Sequence, residues 1–158
     1  MESNLKAGMA IKPFPWKCGH CQEKAVYRTA IEYVLPCDFE GREYSVAVPD
    51  LLVPKCRSCG KILFDRAASE RMTDLLREQL GLLKPLQIRD GRESLGFTQE
   101  ELAANLRIAP TTISRWETGA QIQERALDLL MRLYFGLAEV RTAISNERTA
   151  RTLGEVAA

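Results

Sequence analysis

The sequence has little of what a membrane protein or a histidine-based enzyme needs. It contains one histidine among 158 residues, and no apolar run approaches the roughly 20 residues that a membrane-spanning helix requires. Residues 1–10 show no continuous apolar core, so we expect no secretory signal peptide. We therefore expect a cytoplasmic protein with no membrane partner.

Net charge is also scarce, at +1 for the whole chain. From Lys84 onward, ten basic residues are balanced by ten acidic residues, so this part of the chain has no net charge. Strong binding to nucleic acid needs many cations that neutralise phosphates. A nucleic-acid function therefore requires that the cations be concentrated on one face or doubled by dimerisation. Apolar residues make up 46% and charged residues 27%, which predicts a globular fold of one ordinary domain or two small ones.

The first half of the chain reads as β-structure. Apolar and aromatic residues alternate over 29–35 and again over 44–48, with the period of two that is typical of strands. Residues 39–42 predict the turn between them, because Gly41 can take a positive φ. We expect Pro49 and Asp50 to end the second strand.

The second half reads as helical and contains no cysteine. A helical period predicts a connecting helix over about 66–80, with Gly81 at its C-terminal end and Pro85 preventing continuation. Another helix is expected around Leu137, Val140 and Ile144, and the last residues are expected to fray.

Four of the five cysteines form two pairs of the pattern Cys-x2-Cys, which are Cys18 with Cys21 and Cys56 with Cys59. The 34 residues between the pairs are the β-rich segment. This spacing is typical of zinc sites, because a tight turn lets both sulfurs point at one ion. Four thiolates complete a tetrahedral shell, which predicts one structural Zn²⁺; iron is the chemical alternative. We expect glycines 19 and 60 to ease the two turns.

The remaining candidates near the metal have plainer interpretations. His20 could replace a cysteine ligand, but it lies between two better ligands, so we expect an exposed loop histidine. Cys37 is expected to be a half-buried strand residue rather than a fifth ligand. A redox-active pair of thiols would explain one Cys-x2-Cys pair but leave the other pair unexplained. Structural disulfides are not expected, because the sequence shows no secretory signal.

The second motif is a pair of short helices in the segment 96–119. Thr98 and Glu101 have the spacing of a capping box, which predicts a helix from about residue 99. Pro110 suits the first position of the next helix, where its missing N–H costs nothing. Ile113 and Trp116 are expected to face the core. Two short helices with a tight connection are typical of a helix-turn-helix.

The outer face of the second helix carries the candidate DNA contacts Thr111, Thr112 and Arg115. Residues 111 and 115 are one turn apart and project together. Arginine can bond bidentately to a guanine edge in the major groove, and threonine can meet a thymine methyl group. The alternative is that these are ordinary solvated residues of a packing helix, as we expect for Arg141, Arg148 and Arg151 near the C-terminus.

The letters GFTQEELA at 96–103 and TISRWETG at 112–119 resemble the phage-repressor, or Xre-type, helix-turn-helix over about residues 86–135. One departure is Ala109, where that family often has a serine or threonine as N-cap; the change weakens the helix start by about 1 kcal/mol.

The Xre resemblance implies roles for particular residues. Gln99 would begin the first helix of the motif and help to clamp a phosphate. Thr111 and Arg115 would face bases. Arg92 and Glu117 would form a structural ion pair.

The combination of both motifs resembles the MqsA family of YgiT-type zinc-finger proteins. The likeness is carried by residues 48–50, 56–60 and 114–117. Members are typically antitoxins, in which the zinc half binds an RNA-cleaving toxin and the other half dimerises and represses its own operon. Thr111 departs from the asparagine that this pattern favours, so the operator sequence does not transfer.

We predict an α+β protein: a small antiparallel-sheet zinc module at 14–65, a connecting helix at 66–83, an all-α five-helix lambda-repressor-like helix-turn-helix domain at 84–150, and a disordered tail at 151–158. The predicted function is transcriptional repression by a homodimer on a double-stranded DNA operator, as an autorepressing antitoxin of a type II toxin–antitoxin pair. The alternative is a stand-alone zinc-stabilised repressor without a toxin partner. A zinc enzyme is disfavoured, because all-thiolate coordination leaves no open position on the metal.

Overall fold

The computed structural model describes residues 13–155, with side chains through residue 147. The chain forms two compact units. One comprises Tyr44–Met72 and the described part of Met1–Cys37, and the other comprises Asp38–Glu43 and the described part of Thr73–Ala158.

In the described part of the chain, the sheet has three strands, β1 (Trp16–Lys17), β2 (Lys24–Phe39) and β3 (Arg42–Cys56), in the spatial order β1-β2-β3. β1 pairs antiparallel with β2 through Trp16 opposite Val26. The two residues between β2 and β3, Glu40 and Gly41, both have positive φ, at 52° and 73°. Two such residues favour a tight hairpin turn whose twist matches the strands, so the predicted turn is confirmed.

β3 continues through the point where we expected it to end. Asp50 takes φ 49°, and its main-chain N–H donates to Glu32 Oε1 at 3.3 Å. Aspartate tolerates this left-handed conformation. A residue in this conformation produces a local bend, after which the strand continues in the sheet. Leu51 and Val53 are buried just beyond the bend. The prediction that Pro49 and Asp50 end the strand was therefore wrong.

Within residues 13–155, six helices follow the sheet, and the α+β fold class is confirmed. They are α1 (Arg66–Leu80), α2 (Pro85–Ser94), α3 (Gln99–Leu106), α4 (Pro110–Glu117), α5 (Arg125–Gly136) and α6 (Ala138–Glu155). α1 matches the expected connecting helix, and Gly81 follows it with φ 68°. Among the described residues, no helix is long and apolar enough to cross a membrane.

The core of the second unit joins α2, α3, α4 and α5. It is built from buried apolar side chains that include Ile88, Leu102, Ile113, Trp116 and Met131. All five are at most 2% exposed. Because α3 and α4 both contribute to this core, their outer faces are fixed relative to one another.

The loop after α4 is held by a buried arginine of α1. Arg77 Nη2 donates to the carbonyl oxygens of Gly119 at 3.4 Å and Gln121 at 3.3 Å. Its Nη1 lies 3.3 Å from Asp74. Burial lowers the pKa of Arg77, and the nearby Asp74 carboxylate offsets part of this effect. These contacts tie the C-terminal end of α4 to α1.

α6 extends to Glu155, so it includes residues 151–155, which the sequence analysis placed in a disordered tail. No proline interrupts this stretch, so its sequence does not block continuation of the helix. Residues 156–158 of the expected tail lie outside the described residues.

Candidate metal centre and nucleic-acid interface

The four paired cysteines meet at one point. Their Sγ atoms all lie within 4.8 Å of one another. Cys18 Sγ is 3.7 Å from Cys59 Sγ, and Cys21 Sγ is 3.6 Å from Cys56 Sγ. A zinc–sulfur bond of about 2.3 Å puts the sulfurs of a tetrahedron about 3.8 Å apart. The donor set and its spacing therefore fit a four-coordinate metal ion.

The two Cys-x2-Cys turns share one backbone pattern. The N–H of Gln22 donates to the carbonyl of Cys18 at 3.0 Å, and that of Gly60 to Cys56 at 2.9 Å. Gln22 and Gly60 both have positive φ, at 64° and 73°. Gly60 thus eases its turn as expected. In the first turn the corresponding residue is Gln22, not Gly19.

Main-chain N–H groups of these turns point at the thiols and change their acidity. The N–H groups of Cys21 and His20 lower the pKa of Cys18 to about 6, and those of Cys59 and Ser58 lower the pKa of Cys56. The thiolate is the form that binds a metal, so these turns favour metal binding before any ion is present.

Cys21 behaves in the opposite way. The N–H of Glu23 lowers its pKa, but burial and the neighbouring thiols outweigh this and raise the pKa to about 12. Four thiols this close cannot all lose a proton without a cation between them. Binding of a metal ion by all four sulfurs must therefore release the last proton that this group of thiols holds.

Beneath the cysteines lies a small apolar cluster. Cys18, Val26 and Cys56 are buried, with Phe14 and Trp16 packed against them. The rings of Phe14 and Trp16 stack at 4.4 Å between centroids. The cluster packs against both cysteine turns, so an ion held by the four sulfurs would add to the stability of this end of the sheet. Outside the cluster, His20 is exposed and Cys37 is half-buried in β2.

The helix-turn-helix is formed by α3 and α4. At the start of α3, Glu101 N–H donates to Thr98 Oγ1 at 3.1 Å, and Thr98 N–H donates to Glu101 Oε2 at 2.8 Å. The predicted capping box is thus confirmed. α4 begins at Pro110 after Ala109, which gives no side-chain cap.

α4 presents two different faces. Ile113 and Trp116 are buried in the core, whereas Thr111 and Arg115 are exposed and Thr112 is half-buried. Thr111 and Arg115 are one helical turn apart, so their side chains project from the same exposed face. The structure thus brings together hydroxyl and guanidinium donors on one face of a helix whose opposite face is packed in the core.

Glu117, the last residue of α4, gathers three side chains around its carboxylate. Arg92 binds it bidentately, with Nε 2.6 Å from Oε1 and Nη2 2.9 Å from Oε2. Gln99 Nε2 donates to Oε2 at 2.8 Å. Arg89 Nε lies 3.7 Å from the same Oε2. The Glu117 side chain is 0% exposed, and its partners hold it as a carboxylate.

The pKa values of Glu117 and Arg92 show that their mutual pairing outweighs the effect of burial. Burial raises the pKa of Glu117, but hydrogen bonds from Arg92 and Gln99 and the positive charges of Arg92 and Arg89 bring it below the usual value. The hydrogen bond to Glu117 raises the pKa of Arg92 against the effect of burial. Both groups are therefore charged across the physiological range.

Arg89 is the residue of this cluster that the sequence analysis missed. It lies three positions before Arg92, on the same face of α2, which is a signal that helical spacing supplies. Without the structure nothing connected it to Glu117, since the two are 28 residues apart.

Comparison with protein families finds a match in the second unit. A family model described as helix-turn-helix matches residues 88–135, which span the segment from within α2 to near the end of α5. A comparison with curated proteins finds no match. The match indicates a DNA-binding transcriptional regulator that acts on double-stranded DNA through this segment.

Proposed function

We propose that the protein is a sequence-specific transcriptional repressor that binds its operator as a homodimer. The observation that carries this proposal is the division of α4 into a buried face, with Ile113 and Trp116, and an exposed face, with Thr111 and Arg115. An exposed face of this chemistry can read base edges in the major groove.

In this mechanism α4 enters the major groove. Arg115 bonds a guanine edge, and Thr111 and Thr112 contact neighbouring base or backbone atoms. Gln99 contacts a phosphate at the start of α3, with its amide oriented by Glu117. The ion pair of Arg92 with Glu117 holds α2 against the end of α4 and does not touch DNA.

The test is fluorescence anisotropy of the metal-loaded protein on DNA from upstream of its own gene, at two salt concentrations. Arg115→Ala should weaken specific binding by a factor that corresponds to about 1–3 kcal/mol. Arg107→Ala is the matched control, because Arg107 is also exposed but pairs with Glu147 at 2.7 Å. If folded parent protein binds no such DNA, the proposal fails.

An exposed leucine stripe supports the homodimer. Leu129, Leu133 and Leu137 are 57%, 39% and 46% exposed and follow one another at intervals of four along and just beyond α5. Leu129 and Leu133 lie one turn apart on α5, and large exposed apolar side chains that adjoin on a helix favour a partner surface. A two-fold pairing of this stripe would place two α4 helices on one face of a near-palindromic site.

We further propose that Cys18, Cys21, Cys56 and Cys59 hold one Zn²⁺. Zinc would supply a closed tetrahedral centre with no role in catalysis. It would join the start of β2 to the end of β3, opposite the hairpin turn. The support is the sulfur spacing and the main-chain N–H groups that favour thiolates.

The antitoxin role is a second step of the proposal, in which the first unit binds a toxin protein. It is supported by the resemblance to the MqsA family and by exposed apolar side chains of that unit, which are Val34, Leu52, Leu63 and Phe64. Where such side chains adjoin, they form a surface that a protein partner can cover.

Co-expression with the product of a neighbouring short reading frame tests this step. An antitoxin restores growth to cells that the neighbouring product alone arrests, and Leu52→Asp should weaken the rescue while Arg115→Ala leaves it intact. If no neighbouring product is toxic, the alternative holds, which is a stand-alone zinc-stabilised repressor.

A further inference from the structure

The geometry points to a phosphate clamp formed by Arg89 together with Gln99, in which Arg89 is a DNA contact that the helix-turn-helix motif did not indicate. The inference deepens the proposed function and rests on it. The ligand is one phosphodiester group of the DNA backbone.

The two side chains are brought together by one buried atom. Gln99 Nε2 and Arg89 Nε both approach Glu117 Oε2, at 2.8 Å and 3.7 Å. Arg89 Nη2 also donates to the main-chain oxygen of Glu117 at 3.4 Å. One amide N–H of Gln99 and several N–H groups of Arg89 stay available, because each contact uses only part of the donors that these side chains carry.

Exposure separates the roles of the two arginines. The Arg92 side chain is 10% exposed and its guanidinium bonds Glu117, Glu93 and the Phe97 carbonyl. The Arg89 side chain is 45% exposed. Arg92 therefore neutralises the buried carboxylate, while Arg89 presents its positive charge to solvent beside the Gln99 amide.

This arrangement prepares the clamp before DNA arrives. Long arginine and glutamine side chains lose rotamer freedom when they bind, and a side chain that is already held loses less. An arginine guanidinium matches two phosphate oxygens, and charge-assisted bonds of this kind are the strong ones. Glu117 is thus a positioning residue for Arg89 and Gln99.

The experiment measures the affinity for operator DNA and for a scrambled duplex over a series of salt concentrations. Arg89→Gln should lower the affinity for both duplexes by a similar factor, roughly ten-fold per protomer. It should also reduce the slope of log affinity against log salt by about 0.9 for each phosphate contact that is lost. Arg107→Gln, a matched change at another exposed arginine, should leave the slope unchanged.

Arg89→Lys keeps the charge and should retain the parental salt slope with a smaller loss of affinity. The clamp is overturned if Arg89→Gln keeps the parental slope, if it weakens only the operator, or if Arg89→Lys loses as much slope as Arg89→Gln. Unfolding curves identify any variant that does not fold, in which case Arg89→Lys decides. If the parent binds neither duplex, the proposed function itself has failed, which is a separate result.

Discussion

Replacing Glu117 with alanine should destabilise the second unit far more than removal of an ordinary surface charge. The carboxylate is 0% exposed and takes two bonds from Arg92 and one from Gln99. In its absence the Arg92 guanidinium, 10% exposed, keeps its charge without its main partner. Breaking a buried pair in this way costs about 3–5 kcal/mol.

Urea unfolding followed by circular dichroism measures this cost. The matched control is Glu147→Ala, which removes the exposed pair with Arg107 and should change the unfolding free energy by less than about 1 kcal/mol. If Glu117→Ala costs no more than this control, the ion pair does not stabilise the fold and our reasoning is refuted. Loss of DNA binding at unchanged stability would contradict it equally.

The same pair sets a dependence on pH. The pKa of Glu117 is lower in the folded protein than its usual value. Its contribution is therefore complete above the unfolded pKa of about 4.3 and is lost as the pH falls through the folded pKa. Glu117→Gln should show a shallower loss of unfolding free energy than the parent over that acidic range. Equal acid profiles would sink this interpretation.

Three further outcomes are expected. A strong chelator should change the tryptophan emission, because Trp16 packs beside the cysteines while Trp116 is buried in the core of the second unit, and it should leave helical circular dichroism largely intact; unchanged emission would contradict a metal-dependent first unit. Leu133→Glu should weaken self-association roughly 100-fold or more, because a two-fold interface contains each substituted residue twice. Sedimentation velocity measures this, and an unchanged dimer would show that the leucine stripe is not the interface. Gly91→Ala should destabilise the fold by about 1–3 kcal/mol through overpacking, since an added Cβ would lie 2.5 Å from the Phe135 ring. Gly136→Ala is the control, because its added Cβ meets nothing within 4 Å and should cost less in the same thermal melts.

Much of the second unit could be predicted from its sequence, because its signals are local. The capping box of Thr98, the proline at the start of α4 and the spacing of Ile113 and Trp116 each act within one or two helical turns. The four cysteines were equally predictable, since paired ligands of one ion carry their own spacing.

What escaped prediction depends on backbone conformations and distant contacts. Asp50 and Gln22 take positive φ although neither is glycine, so the continued strand and the first cysteine turn gave no compositional signal. Arg89 joins the site only through a residue of another helix. Contacts of this kind are set by the packing of α2 against α4, which no local pattern specifies.

The hairpin joins the two cysteine pairs, and this makes the metal affinity a measure of folding. A metal that all four sulfurs share can bind tightly only when β2 and β3 are paired, so the free energy of pairing the strands is part of the free energy of binding the ion. Where the strands are unpaired without the ion, a substitution that weakens the hairpin at a distance, for example at the Asp50 bend, lowers the apparent metal affinity by the same free energy. With the proposed metal site, the supply of metal in the surroundings would then set the fraction of molecules that has an ordered first unit.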